Sequence, residues 1–99
     1  MSSSANELTR PLAADVEVSE DQLIVHLTDG RSISAPITWY PRLANGTAHE
    51  HANWRMIGSG HGVHWPDLGE DIDVEALLEG RRSSESSSSL KKWLAARGT

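Results

Sequence analysis

The sequence predicts an α+β domain. Its parts are a small antiparallel sheet of four or five strands opening with a three-strand meander, two or three short helices, and a flexible tail ending in another short helix. Three observations carry this reading. Val16 and Val18 alternate with Asp15, Glu17 and Ser19, and Leu23, Val25 and Leu27 repeat the same period of two, the mark of half-buried strands. Between this second segment and a third stands Asp29-Gly30, a pair favoured in two-residue hairpin turns because both central positions need positive φ. Beyond Pro36 the apolar segments are short and separated by glycine, proline and asparagine, which leaves no room for a long helix before the tail.

The elements follow in order. Glu20-Asp21 makes a polar turn between the first two strands. In the third, Arg31-Ser32-Ile33-Ser34-Ala35, alternation puts Ile33 and Ala35 on one side. Pro36 cannot donate to a ladder and belongs at that strand's end or edge. Thr38 is placed to cap a helical turn through Trp39-Tyr40-Pro41-Arg42-Leu43, ended by Asn45-Gly46. Thr47-Ala48-His49-Glu50 fits a capping box, with the glutamate three residues after the cap. Trp54 to Ile57 and Val63 to Pro66 read as further extended segments around a turn carrying Gly58, Gly60 and Gly62. Asp67 to Asp73 reads as an acidic loop, after which Asp73 caps a helix over Val74 to Leu78 closed by Gly80.

The 99 residues fit one domain. Composition divides them into a polar leader (1–13), the α+β domain (14–80), a serine-rich linker (81–89) and an amphipathic helix (90–97), where Leu90, Trp93, Leu94 and Arg97 fall at i, i+3, i+4 and i+7. Hydrophobic residues make up 37%. No run approaches the roughly 18 apolar residues of a membrane span, and the first residues lack the basic and apolar regions of a secretory signal. The expected setting is the cytoplasm, with no membrane partner. The absence of cysteine excludes disulfides, thiol nucleophiles and cysteine-ligated metals. Nine Lys and Arg against 14 Asp and Glu leave a net charge of −5, which repels phosphate backbones. Nucleic acid is therefore not expected as a partner by itself. The body is acidic, and the terminal helix with Lys91, Lys92 and Arg97 is its one basic segment.

The middle of the chain carries a resemblance. Asp29-Gly30-Arg31, Trp39-Tyr40-Pro41-Arg42-Leu43, Asn53-Trp54-Arg55 and Gly60-His61-Gly62-Val63-His64-Trp65-Pro66-Asp67, in this order, resemble a family of small bacterial proteins, the domain-of-unknown-function family numbered 2442. The match extends from about Val16 to Leu78. It implies a small α+β domain with an antiparallel sheet. Some relatives carry a helix-turn-helix domain, and others are encoded beside a second small protein in pairs resembling toxin–antitoxin systems. The resemblance implies no catalytic or cofactor residue. The segment after Leu78 is too short for a helix-turn-helix.

Several groups of residues are candidates for a site. His49, His51, His61 and His64 lie near Asp67, Glu70 and Asp71, a composition that would suit zinc. On a short helix, however, His49 and His51 diverge by roughly 200°, and His61 and His64 diverge in an extended turn. No metal or other cofactor is expected. Gly58-Ser59-Gly60 lacks the spacing of a nucleophile elbow, and Glu70, Asp71 and Asp73 sit where water would screen them, so no catalytic residue is assigned. The glycines lack the dinucleotide-binding spacing. Trp39, Tyr40, Trp54 and Trp65 either fill the core or, with Arg42 and Arg55, form an aromatic–cationic surface for a partner. Leu90, Trp93 and Leu94 on the terminal helix complete the expected partner-binding set.

The sequence thus points to a non-enzymatic protein-binding or regulatory module, in the manner of the antitoxin half of a two-gene pair, with a protein partner and a homodimer both compatible. The alternatives are an accessory domain of a DNA-binding regulator and, more weakly, a metal-dependent enzyme using the histidines.

Overall fold

A computed structural model describes residues 10–98. The strands are β1 (Ala13–Val18), β2 (Gln22–Leu27), β3 (Ser32–Pro36), β4 (Arg55–Ile57), β5 (Gly62–Trp65) and β6 (Glu70–Asp73). The helices are a 3-10 turn (Ile37–Trp39), α1 (Pro41–Ala44), α2 (Ala48–Ala52), α3 (Val74–Leu78) and α4 (Ser87–Arg97). The architecture is α+β with the expected N-terminal meander. The strands form two antiparallel sheets of three, ordered β1-β2-β3 and β4-β5-β6, in place of one sheet of four or five. Pro36 closes the first sheet, and the two short helices that follow carry the chain away before pairing resumes.

In the first sheet Val16 faces Val25, Val18 faces Leu23, and Leu23 faces Ala35. The register slips between Ala13 and Asp15, so Ala13 and Val16, three apart, are both buried. That is the effect of one extra residue in an edge strand. In the second sheet Val63 faces Ile72, and both lie in the core. The sheets meet at Gly60, whose carbonyl accepts the Ala13 amide at 2.8 Å. Gly60 has φ +116°, and a Cβ there would stand 2.7 Å from the Ala13 carbonyl oxygen, so only glycine fits both the turn and the contact.

A single core joins the layers. Trp65, Leu23, Leu43, Leu68, Val25 and Val63 are its largest fully buried side chains. Capping at α2 follows expectation, with Thr47 and Glu50 forming a reciprocal box, and Asp73 caps α3 through the Ala76 amide.

Three expectations are corrected. Trp39 to Leu43 is not one turn capped by Thr38. It breaks at Tyr40 (φ −128°) into the 3-10 turn and α1, because Pro41 brings no amide and takes a first-turn position. Asp67 to Asp73 is not all loop: Glu70–Asp73 pairs with β5, with Glu70 and Ile72 inward and Asp71 and Asp73 outward. The terminal helix begins within the expected linker, at Ser87, because the Ser86 hydroxyl accepts the Ser89 amide as a cap. The expected leader lies mostly outside the described residues, while Leu12 already joins the fold through hydrogen bonds with Thr28.

Candidate functional site

The segment after α3 folds back along the body. The Ser83 amide donates to the Trp39 carbonyl at 3.0 Å, and the Tyr40 hydroxyl donates to the Arg81 carbonyl at 3.3 Å. The decisive contacts are ionic. Arg42, on α1, donates from Nε and Nη2 to the two oxygens of Glu85 at 2.7 and 2.8 Å, and from Nη1 to the Leu68 carbonyl at 3.1 Å. At the far end of α4, Arg97 donates to both oxygens of Glu50 on α2 at 2.8 and 2.9 Å, and to the Asn45 carbonyl at 3.2 Å. Both pairs have the planar fork geometry that distinguishes arginine from lysine. The tail thus presents an acid at one end and a base at the other, matching a base and an acid on the body.

Trp93 lies between these anchors in sequence and in space. Its ring centroid is 5.1 Å from the Arg42 guanidinium carbon and 4.6 Å from that of Arg97, and its ring packs against the core. Leu90, Trp93 and Leu94 are all half-buried, and no residue of α4 is fully buried. Side-chain anchors hold the helix where a buried apolar face would otherwise do so.

The charges respond to this geometry. Arg97 and the Thr47 amide hold Glu50 down at about 2. The fork from Arg42 lowers Glu85 and raises Arg42 in return. Glu70 behaves oppositely. Burial, with Glu85 close by, pushes its carboxyl up to about 7, although Arg42 pulls the other way. The residue is only 9% exposed and lines a cleft of about 350 Å³ between β6, the start of α1 and the chain after α3.

Of the expected partner-binding residues, Arg42 and Trp93 are brought into direct contact. Trp39 is half-buried beneath the Arg82 guanidinium, 4.7 Å from its ring. Tyr40 (4% exposed) and Trp65 (0%) are corrected as surface residues. Both are core side chains, and the Trp65 indole donates to the His51 carbonyl at 3.1 Å. Trp54 is half-buried beside β1 and α2, and Arg55 stands exposed on β4 opposite His64.

The histidines are dispersed. His51 contacts the Leu43 carbonyl at 2.6 Å, His64 pairs with Asp71, and His49 and His61 are exposed at the surface. Among the described residues no group of three or more His, Cys, Asp or Glu could hold a metal ion. Sequence reasoning missed one chain across the first sheet. His26 contacts Glu17 at 2.5 Å through Nε2 and Ser32 at 2.7 Å through Nδ1. The His26 and Glu17 side chains are 36% and 62% exposed, so water competes for every member. Its signal lay in the register: Ser32 faces His26, and Glu17 lies diagonally from it, opposite Ile24.

Comparison with known proteins gives a family and a fold. The family model described as "Protein of unknown function (DUF2442)" matches residues 13–83. A crystal structure of a protein of unknown function from Rhodospirillum rubrum is 24% identical, with a TM-score of 0.66 over 78% of this chain and 95% of that one. A solution structure of an uncharacterized protein from Chromobacterium violaceum is also 24% identical, with a TM-score of 0.65 over 96% of this chain and 83% of that one. No curated protein matches. Among the described residues no helix is long and apolar enough to cross a membrane.

Proposed function

The chain belongs to the DUF2442 family, and from that premise we propose that it is a non-enzymatic protein-binding module, the regulatory or antitoxin-like half of a two-protein pair. One observation carries the reading. α4 lies on the body through two forked ion pairs and the Arg42–Trp93–Arg97 contacts, with no residue fully buried. A helix held in this way is exchangeable. Arginines and a tryptophan are the side chains that dominate binding energy at protein interfaces. A partner that offers Trp93, Leu90 and Leu94 a deeper groove takes over the helix, and the body keeps its own core, against which only Trp93 of the described tail residues packs.

The experiment is copurification of the tagged chain with its partner from the native host, followed by calorimetry of that partner against the intact chain and a chain ending at Gly80. The intact chain is expected to bind at least tenfold more tightly, with circular dichroism showing the shortened chain folded. Equal affinities would overturn the reading. A second reading, an accessory domain of a nucleic-acid regulator, is supported by Lys91 and Lys92, which stand exposed on α4. It requires an affinity for nucleic acid that falls steeply with salt.

A further inference from the structure

The cleft around Glu70 holds one carboxyl group with no hydrogen-bond donor among the described residues. The other ionisable side chains around it are engaged. Arg42 is forked onto Glu85, and Asp71 pairs with His64. The Asp73 carboxylate accepts the Ala76 amide at 3.0 Å, and Arg81 Nε lies 3.0 Å from Glu79. Arg82 stacks over Trp39, and the Tyr40 hydroxyl donates to the Arg81 carbonyl. Glu70 has no such partner among the described residues, although it is nine-tenths buried and opens into the cleft. No buried side-chain oxygen of the described residues lacks a hydrogen-bond partner, so the Glu70 oxygens reach the open space of the cleft, where a donor can meet them.

We propose that this cleft is a binding site for an organic cation, a guanidinium or alkylammonium group, whose N–H donors complete the Glu70 carboxylate. Several features select that class. Glu70 is the one carboxylate of the lining that accepts no hydrogen bond among the described residues, and a forked or tetrahedral N–H donor satisfies it directly. Arg42 makes no hydrogen bond to Glu70: its Nε and Nη2 are turned to Glu85 and its Nη1 to the Leu68 carbonyl. The volume of about 350 Å³ is ample for one side-chain head group.

This inference deepens the protein-binding reading and rests on it for its source: the cation is an arginine or lysine side chain of the partner, consistent with the net charge of −5. The cleft shares Glu85 with the tail anchor. A cation on Glu70 relieves the repulsion between Glu70 and Glu85 and so favours the docked tail.

The test uses the full chain, ¹⁵N-labelled, titrated with methylguanidinium chloride at constant ionic strength. At pH 8 saturable shifts are expected at Gly69–Asp73 and Arg81–Glu85. The affinity should weaken at least tenfold at pH 5, where Glu70 carries its proton, and equally for E70Q at pH 8. No saturation up to ~100 mM, well above the ~1 mM constant of a weak small ligand, would overturn the proposal. So would an affinity that ignores pH or that E70Q retains. A blocked Ala-Arg-Ala tripeptide binds at least as tightly if a side chain is the source. Its exclusion while methylguanidinium binds would overturn the side-chain assignment in favour of a free small cation. Because the probe needs no partner, failure here is distinct from failure of the calorimetric comparison.

Discussion

Arg42 grips Glu85 with two parallel N–H donors at 2.7 and 2.8 Å, closing a contact across 43 positions of sequence. The pair is largely withdrawn from water, with side-chain exposures of 22% and 9%. The same guanidinium lies over Trp93, so one residue of the body holds the tail at two points.

R42A is therefore expected to cost roughly 2–4 kcal/mol, because it leaves the largely covered Glu85 charge with only the Ser89 hydroxyl donating to it. R42K should recover only part of this, since an ammonium cannot fork. Thermal denaturation measures the loss, and faster hydrogen exchange over Ser87–Arg97 locates it.

The Glu50–Arg97 pair makes tail docking acid-sensitive. Glu50 is held at about 2 in the folded chain, below its ordinary value of 4.5. A lowered carboxyl stabilises the fold above its unfolded pKa and loses that contribution as pH falls through the folded one. The α4 amides should thus lose protection between about pH 4.5 and pH 2. E50Q should flatten this dependence, as read by hydrogen exchange across that range.

Glu70 has the opposite sign. Its carboxyl is raised to about 7, so the folded chain binds the proton more tightly than the unfolded chain does. Stability from this group is complete below about pH 4.5 and is lost as pH rises through 7. E70Q, which carries no charge to bury, should exceed the wild type by roughly 1–3 kcal/mol at pH 8 and by little at pH 4. Urea denaturation at the two pH values tests this.

The glycines separate turn strain from steric contact. Gly30 has φ +93° and open space where a methyl group would stand, so G30A should cost about 1 kcal/mol. G60A adds a clash at 2.7 Å with the Ala13 carbonyl and should cost roughly 3 kcal/mol or more. Denaturation midpoints of the two variants give the comparison.

Much of the fold was legible because its signals are local. The meander follows from alternation around Asp29-Gly30, and the α2 and α3 caps from Thr47, Glu50 and Asp73. β6 was hidden by its charges, although Leu68, Glu70, Ile72 and Val74 alternate and all four are buried. The split into two sheets depends on which strands meet, which periodicity does not encode. The tail was the hardest part. Its serines carry no apolar period, and its anchors join Glu85 to Arg42 and Arg97 to Glu50, pairings that no spacing rule selects from nine basic and 14 acidic side chains. Arg42 and Trp93 were legible as members of a binding surface, but their contact with each other was not.

The proposal that the tail helix recognises a partner through Trp93 is tested by the affinity of W93A for the copurified partner, measured by calorimetry beside the intact chain. Binding at least tenfold weaker is expected, with the body still folded. Unchanged affinity in a folded W93A chain would show that the helix is not the recognition element.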